Sequence, residues 1–286
     1  MVLLLVRCVC EAARMRNQDA MYLLETVPGR TFVSGLIDDH RRAGAGLSAV
    51  AFLRSRSMAE LVWAAQGDVS GYLYGGGLDD ASSIDPHDPD IVAMAEATAA
   101  ELAASHRQMF TSPQRHHGCV DVLRQPRVTN RRAPSEVLPA GALWTATPLD
   151  GGVDTWTHSR ETDDAENLYE LHFDPAQVRV ARIDSAADWV TLLRSHARID
   201  SASGTVYPDW DSIASSVDAV HLSLLGLLTA HPRLSEVPAA DSRDNYGHSK
   251  SGAWPGVGDW STVSTVWMVL PEHGRWALSM ETSLDR

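Results

Sequence analysis

The stretch VRVARIDSAADWVTLLRSH, residues 178–196, sets a strand and a helix back to back. In its first half Val178, Val180 and Ile183 are apolar while Arg179 and Arg182 face outward, the pattern of a half-buried strand. Ser185 then stands as an N-cap with Asp188 at the third helical position, a variant of the capping box, and predicts a helix over 186–196. The same alternation of short units runs outward on both sides. Strands are predicted at Ala142–Thr147, Tyr169–Phe173, Ala219–Leu224 and Val263–Leu270, the last rich in β-branched and aromatic residues. Asp209 caps a second short helix over 210–216, and Arg275–Met280 closes the sheet. This is the signature of an α+β fold.

Toward the N-terminus the signal becomes helical. Residues 2–10 read as a strand, 11–25 as a helix and Val27-Pro28-Gly29-Arg30 as a turn; 31–37 reads either as a short strand or as the start of a helix. One helix is predicted over 47–66, with Leu47, Val50, Leu53, Met58, Leu61 and Val62 on its apolar side. A glycine- and tyrosine-rich loop follows over Gly67–Gly77. Its glycines admit a phosphate-approach reading, but neither a P-loop nor a dinucleotide-binding fingerprint accompanies them, so a plain turn is the simpler reading. Asp88 as N-cap and Pro89 at N1 predict a helix over 89–110. Residues 111–139, with repeated prolines and Arg115, Arg124, Arg127, Arg131 and Arg132, read as a break. The expected organisation is a mainly helical portion over 1–115 with a first strand, an Arg/Pro-rich loop or linker over 116–138, and a Trp-rich α+β domain over 139–286. The two portions are able to pack as one domain.

Net charge is −13, which argues against a nucleic-acid surface spread over the whole protein and leaves only the Arg124–Arg132 loop for such contacts. Lys250 is the only lysine, a bias that fits a GC-rich coding sequence. Cys8, Cys10 and Cys119 do not form a disulfide framework and read as reduced and structural. The apolar start is broken at Arg7, has no signal-peptide pattern, and no window approaches a membrane span, so a cytoplasmic, non-membrane protein is expected.

Eight of nine tryptophans lie between Trp144 and Trp276. An indole needs a shaped apolar pocket and a partner for its N–H, so the cluster marks either a compact core or a cleft for a flat ligand. His221, on an apolar strand with Ser223 two residues on, reads as a core histidine or as a general base. His172 and Asp174 share a face, but no metal-ligand spacing supports a metal site. His116 and His117 fall in the loop and read as solvated. Asp38-Asp39 and Asp79-Asp80 read as turn acids.

The phrases GALWTATP (141–148), VRVARIDS (178–185), WDSIASSVDAVHLS (210–223) and STVW (264–267) together resemble ADP-ribosyltransferase-like proteins of actinobacteria and their phages. The resemblance covers residues 136–270. It implies an enzyme that uses NAD as a substrate, of the kind found as toxins or phage effectors. Thr145 and Thr147 then stand where that fold carries a Ser/Thr-rich strand walling the nicotinamide pocket, with Trp144 and Trp156 as aromatic walls. Arg7 is the candidate strand-borne arginine and His221 a further catalytic candidate. The late strand carries Val263 where a glutamate belongs, which leaves Glu281 or Asp218 as the carboxylate that would stabilise an oxocarbenium-like sugar. The alternative from a different class is a non-enzymatic binding or structural protein, a phage or toxin–antitoxin partner whose Trp-rich face is an interface. The expected partner is thus a nucleotide or a protein.

Overall fold

The computed structural model describes residues 18–44, 46–75, 77–105, 110–118, 124–131, 137–157, 167–199, 206–236 and 256–278. The expected strand at 2–10, all three cysteines, Arg7 and Glu281 lie outside the described residues.

The fold is α+β. Helix α1 covers described residues 18–25. It is followed by α2 (Val27–Ala43), α3 (Ala49–Ser55), α4 (Met58–Ser70), a π-helical turn at Gly71–Gly75, α5 (Leu78–Ser83) and α6 (Pro89–Ser105). A four-stranded sheet runs in the order β2 (Leu143–Thr145), β8 (Ser264–Trp267), β7 (Ala219–Leu222), β4 (Val180–Ile183). The β2–β8 and β8–β7 pairs are antiparallel and β7–β4 is parallel. A three-stranded antiparallel sheet is ordered β1 (Gln114–His117), β3 (Leu168–His172), β9 (Arg275–Leu278). Between β4 and β7 the chain forms α7 (Ala186–Ser195), the hairpin of β5 (Ala197–Ile199) and β6 (Val206–Pro208), and α8 (Trp210–Ser216).

Alternation along the strands explains the layers. On one face of the four-stranded sheet Val220, Leu222 and Val266 join the main core, which continues through Phe32, Phe52, Met94 and other residues of the N-terminal helices. On the other face Ala219 and Trp267 pack with Phe110, Leu171 and Leu270 toward the three-stranded sheet. Helix α9 (Leu224–Thr229) lies between the helical portion and the sheet with every residue buried. Such a helix, apolar all round, has no amphipathic period for a sequence reading to find. Thr26 ties it to α2: its Oγ1 donates to the Leu228 carbonyl at 2.7 Å and accepts the Gly29 N–H at 3.2 Å.

Several sequence expectations need correction. Val27–Arg30 is the first turn of α2, because Thr26 caps it and Pro28 sits in the first turn where a missing N–H costs nothing. The single helix expected over 47–66 is two helices, since Ser57 and Glu60 form a capping box that restarts the chain as α4. That helix and the π-turn occupy most of the expected Gly67–Gly77 loop. The break over 111–139 contains β1, which also bridges to Ala146 through Arg115. Strand β7 stops at Leu222, and Ser223 caps α9 instead of sharing a strand face with His221. Strand β9 joins the three-stranded sheet, so it does not close the sheet that holds β7 and β8. Helices over 186–195 and 210–216 form where their caps Ser185 and Asp209 predict them.

Candidate functional site

Of the sequence-predicted site residues, Trp144, Thr145 and His221 lie on the four-stranded sheet and divide between its two faces. Trp144 is half-buried, pairs with Val266 across β2–β8 and meets Trp260 edge-on at 5.1 Å between ring centroids. Thr145, the next residue, points to the opposite face. Its hydroxyl accepts the Trp267 indole N–H at 2.8 Å and donates to the Gln114 side-chain carbonyl. Thr145 is aligned with Thr265, and Thr265 with His221, whose Nδ1 lies 2.9 Å from Thr265 Oγ1. Thr145, Thr265 and His221 are all fully buried. They form a sealed polar seam between the sheets, with Phe110 packed on the histidine ring at 5.6 Å. Thr147 is buried as well, and its backbone N–H donates to Thr155 Oγ1 at 3.0 Å. Trp156 is buried beside His117, ring centroids 6.1 Å apart. Asp218 faces Arg179, with Nη2 to Oδ1 at 2.6 Å.

Trp144 does line an open groove of about 680 Å³, together with Arg131, Asn130 and Gly141. The rim is built tightly. Thr129 and Ala140 exchange both backbone hydrogen bonds at 3.0 Å. Gly141 has φ 72°, and a Cβ there would sit 2.3 Å from the Arg127 carbonyl oxygen, so only glycine fits. Asn130 accepts the Trp210 N–H at 2.7 Å and donates to Asp209 and Asp211 at 2.9 and 3.0 Å. The arginine loop is therefore pinned to α8, and part of it lines the groove beside Trp144.

A charged cluster escaped the sequence reading because β1 is short, polar and without apolar alternation. His117 Nε2 lies 2.8 Å from Asp154 Oδ2, and Arg115 reaches the same carboxylate at 3.8 Å and Glu170 at 3.4 Å. His172 lies 3.4 Å from the other oxygen of Glu170. His116 is half-buried, with its Nδ1 2.9 Å from the Trp144 carbonyl oxygen; burial lowers its pKa, and that carbonyl opposes the shift. His116 and His117 are thus anchored groups, not solvated loop histidines. Among the described residues no cluster of three or more His, Cys, Asp or Glu is placed to hold a metal, and Asp174 caps the turn at Pro175–Gln177.

A second groove, of about 470 Å³, lies between α1, α7 and the 229–233 segment. His231 is part of its lining, is 5% exposed and packs edge-on to Tyr72 at 5.5 Å. Burial pushes its pKa down to about 4. The unfolded imidazole titrates at its ordinary 6.5, so between these values the unfolded state binds the extra proton and His231 lowers stability as pH falls. Relative to a His231→Gln variant, wild-type stability is expected to drop by about 2 kcal/mol between about pH 7.5 and pH 5 in urea titrations. Asp19 and Asp68, both raised to about 6 mainly by burial, act with the opposite sign and gain stability on acidification. The comparison with the variant isolates the histidine from them. An unchanged difference between the two proteins across this range would show that His231 is solvated.

Comparison with protein-family profiles, with curated proteins and with solved structures finds no match for this chain. Among the described residues no helix is long and apolar enough to cross a membrane.

Proposed function

We propose that this protein binds a nucleotide of the NAD class in the groove lined by Trp144 and Arg131, as an ADP-ribosyltransferase-like protein would. One observation carries the reading. An indole and an arginine singled out separately in the sequence line one open groove, next to a position, Gly141, that only glycine fits. An aromatic face for a base and a guanidinium for a phosphate are the elementary contacts of nucleotide recognition. In this reading Thr145, Thr147 and His221 support the sheet from within and do not touch the ligand, since all three are buried on the far side or beneath it. The alternative of a Trp-rich protein interface is less well supported, because Trp156, Trp189, Trp210, Trp260 and Trp267 are all buried.

Calorimetric titration with NAD and ADP-ribose tests the proposal. Saturable binding is expected, weakened about tenfold or more by Arg131→Gln, as loss of a charge-assisted phosphate contact implies. Trp144→Leu is expected to weaken it further. Absence of binding by either nucleotide, or binding indifferent to both substitutions, would overturn the reading.

A further inference from the structure

Helix α8 carries two serines on one face, and a histidine ring lies against both. Ser212 and Ser216 are one turn apart, the spacing that stacks side chains along a helix. His196 ends α7, and its carbonyl oxygen accepts the Asp209 N–H at 2.8 Å, which fixes the start of α8 beside it. Its ring then reaches along α8: Nδ1 lies 2.8 Å from Ser212 Oγ, and Nε2 lies 3.2 Å from Ser216 Oγ. His196 and Ser212 are half-buried, while Ser216 is exposed.

A nucleophilic serine needs a base within hydrogen-bond reach and a third group that holds the base. This face of α8 supplies both. With Nδ1–H donating to Ser212 Oγ, the Nε2 lone pair is turned to Ser216. The Ser216 hydroxyl has two acceptors, that lone pair and the Ile213 carbonyl at 2.9 Å, and rotation of the hydroxyl selects between them. A cation stands alongside. Arg179 Nη1 donates to the Ser216 carbonyl oxygen at 3.1 Å, and its Nε and Nη2 donate to Asp218 at 3.2 and 2.6 Å. A guanidinium carries five N–H groups, so one on each terminal nitrogen is left for an oxyanion.

We propose that Ser216 is a catalytic nucleophile with His196 as its base, acting on carboxylic esters. Ser216 Oγ bonds to the acyl carbon and its proton passes to His196 Nε2. The ester C–O bond breaks, and the alcohol leaves with that proton. Water then attacks the acyl-serine by the same route, releases the carboxylic acid and restores the hydroxyl. Arg179 holds the developing oxyanion, and Ser212 is a positioning residue for the ring. An exposed site with one side-chain cation stabilises an oxyanion only modestly, which selects esters with good leaving groups over amides.

The test treats the full chain with a fluorophosphonate, which loses fluoride to a reactive serine oxygen, and locates the label by fragment mass spectrometry. A single label on Ser216 is expected, together with a burst of p-nitrophenol from p-nitrophenyl acetate. Ser216→Ala is expected to remove both, and Ser215→Ala, on the neighbouring exposed hydroxyl, neither. His196→Gln is expected to slow labelling about a hundredfold or more. Ser212→Ala is expected to slow it roughly tenfold, and Ser212→Thr to restore it. Absence of label, or label on another residue, overturns the proposal. So does a labelling rate unchanged in a His196→Gln protein of wild-type melting temperature. If that variant melts lower, the Ser212 pair decides, and failure of threonine to restore the rate overturns the proposal. None of these outcomes bears on nucleotide binding, since Asn130 joins the Trp144 groove to the other end of α8.

Discussion

Gly226→Ala is expected to destabilise the protein by about 3 kcal/mol or more, against the intrinsic helix preference for alanine. Gly226 lies in the middle of α9, where every side chain is buried. A Cβ built there falls 1.9 Å from the Ile183 carbonyl oxygen and 2.9 Å from its carbon. That carbonyl ends β4 and is already bound by Ser223, through its N–H at 3.1 Å and its hydroxyl at 3.3 Å. The position of a Cβ is fixed by the backbone and its clash partner is a backbone carbonyl, so no side-chain rotation relieves it. The helix must lift from the sheet, breaking the Ser223 contacts and opening the core between the two portions. Gly35→Ala is the control: Gly35 is exposed on α2 with nothing within 4 Å of the added atom. There the same change is expected to add up to about 1 kcal/mol. Urea unfolding of both variants gives the contrast. Equal effects would mean that α9 does not press on β4.

The same helix shows where the sequence was legible and where it was not. Elements announced by a local chemical signal could be read: Ser185 and Asp209 cap their helices, and Asp88 with Pro89 starts α6. Elements set by tertiary burial could not. The segment LLGLLT has no apolar face because all its faces are buried, and QRHH has no alternation because β1 is held by backbone pairing and ion pairs. Val27-Pro28-Gly29-Arg30 reads as a turn from composition alone, yet with Thr26 as cap the same residues begin a helix. Site residues followed the same division. The sequence reading places Trp144 and Thr145 in one pocket, yet adjacent strand residues point to opposite faces, and the sequence does not say which face a second sheet seals. That information lies in the pairing of β1, β3 and β9, whose partners are far apart in sequence.

The other large effect is expected at Asp154, whose side chain is 1% exposed. One of its oxygens accepts from Trp156 N–H at 2.8 Å and Thr157 Oγ1 at 3.3 Å; the other faces His117 at 2.8 Å and Arg115 at 3.8 Å. Arg115 continues to Glu170 and to the Gly152 carbonyl at 2.7 Å, so one carboxylate organises the 150–157 loop against β1 and β3. Asp154→Ala removes the acceptor and leaves a nearly buried arginine short of one counter-charge. Breaking a buried pair from one side costs about 3–5 kcal/mol, which corresponds to a melting temperature lower by roughly 10 °C. Asp154→Asn keeps an acceptor for the Trp156 N–H and is expected to cost less. The loop carries buried Trp156, so the loss in Asp154→Ala is expected to appear also as local amide exchange at 153–157. A two-mutant cycle with His117→Gln separates the pair from the rest: strong coupling between the two sites places the stabilisation in the His117–Asp154 contact. Additive losses assign it to Arg115 and the loop N–H groups instead.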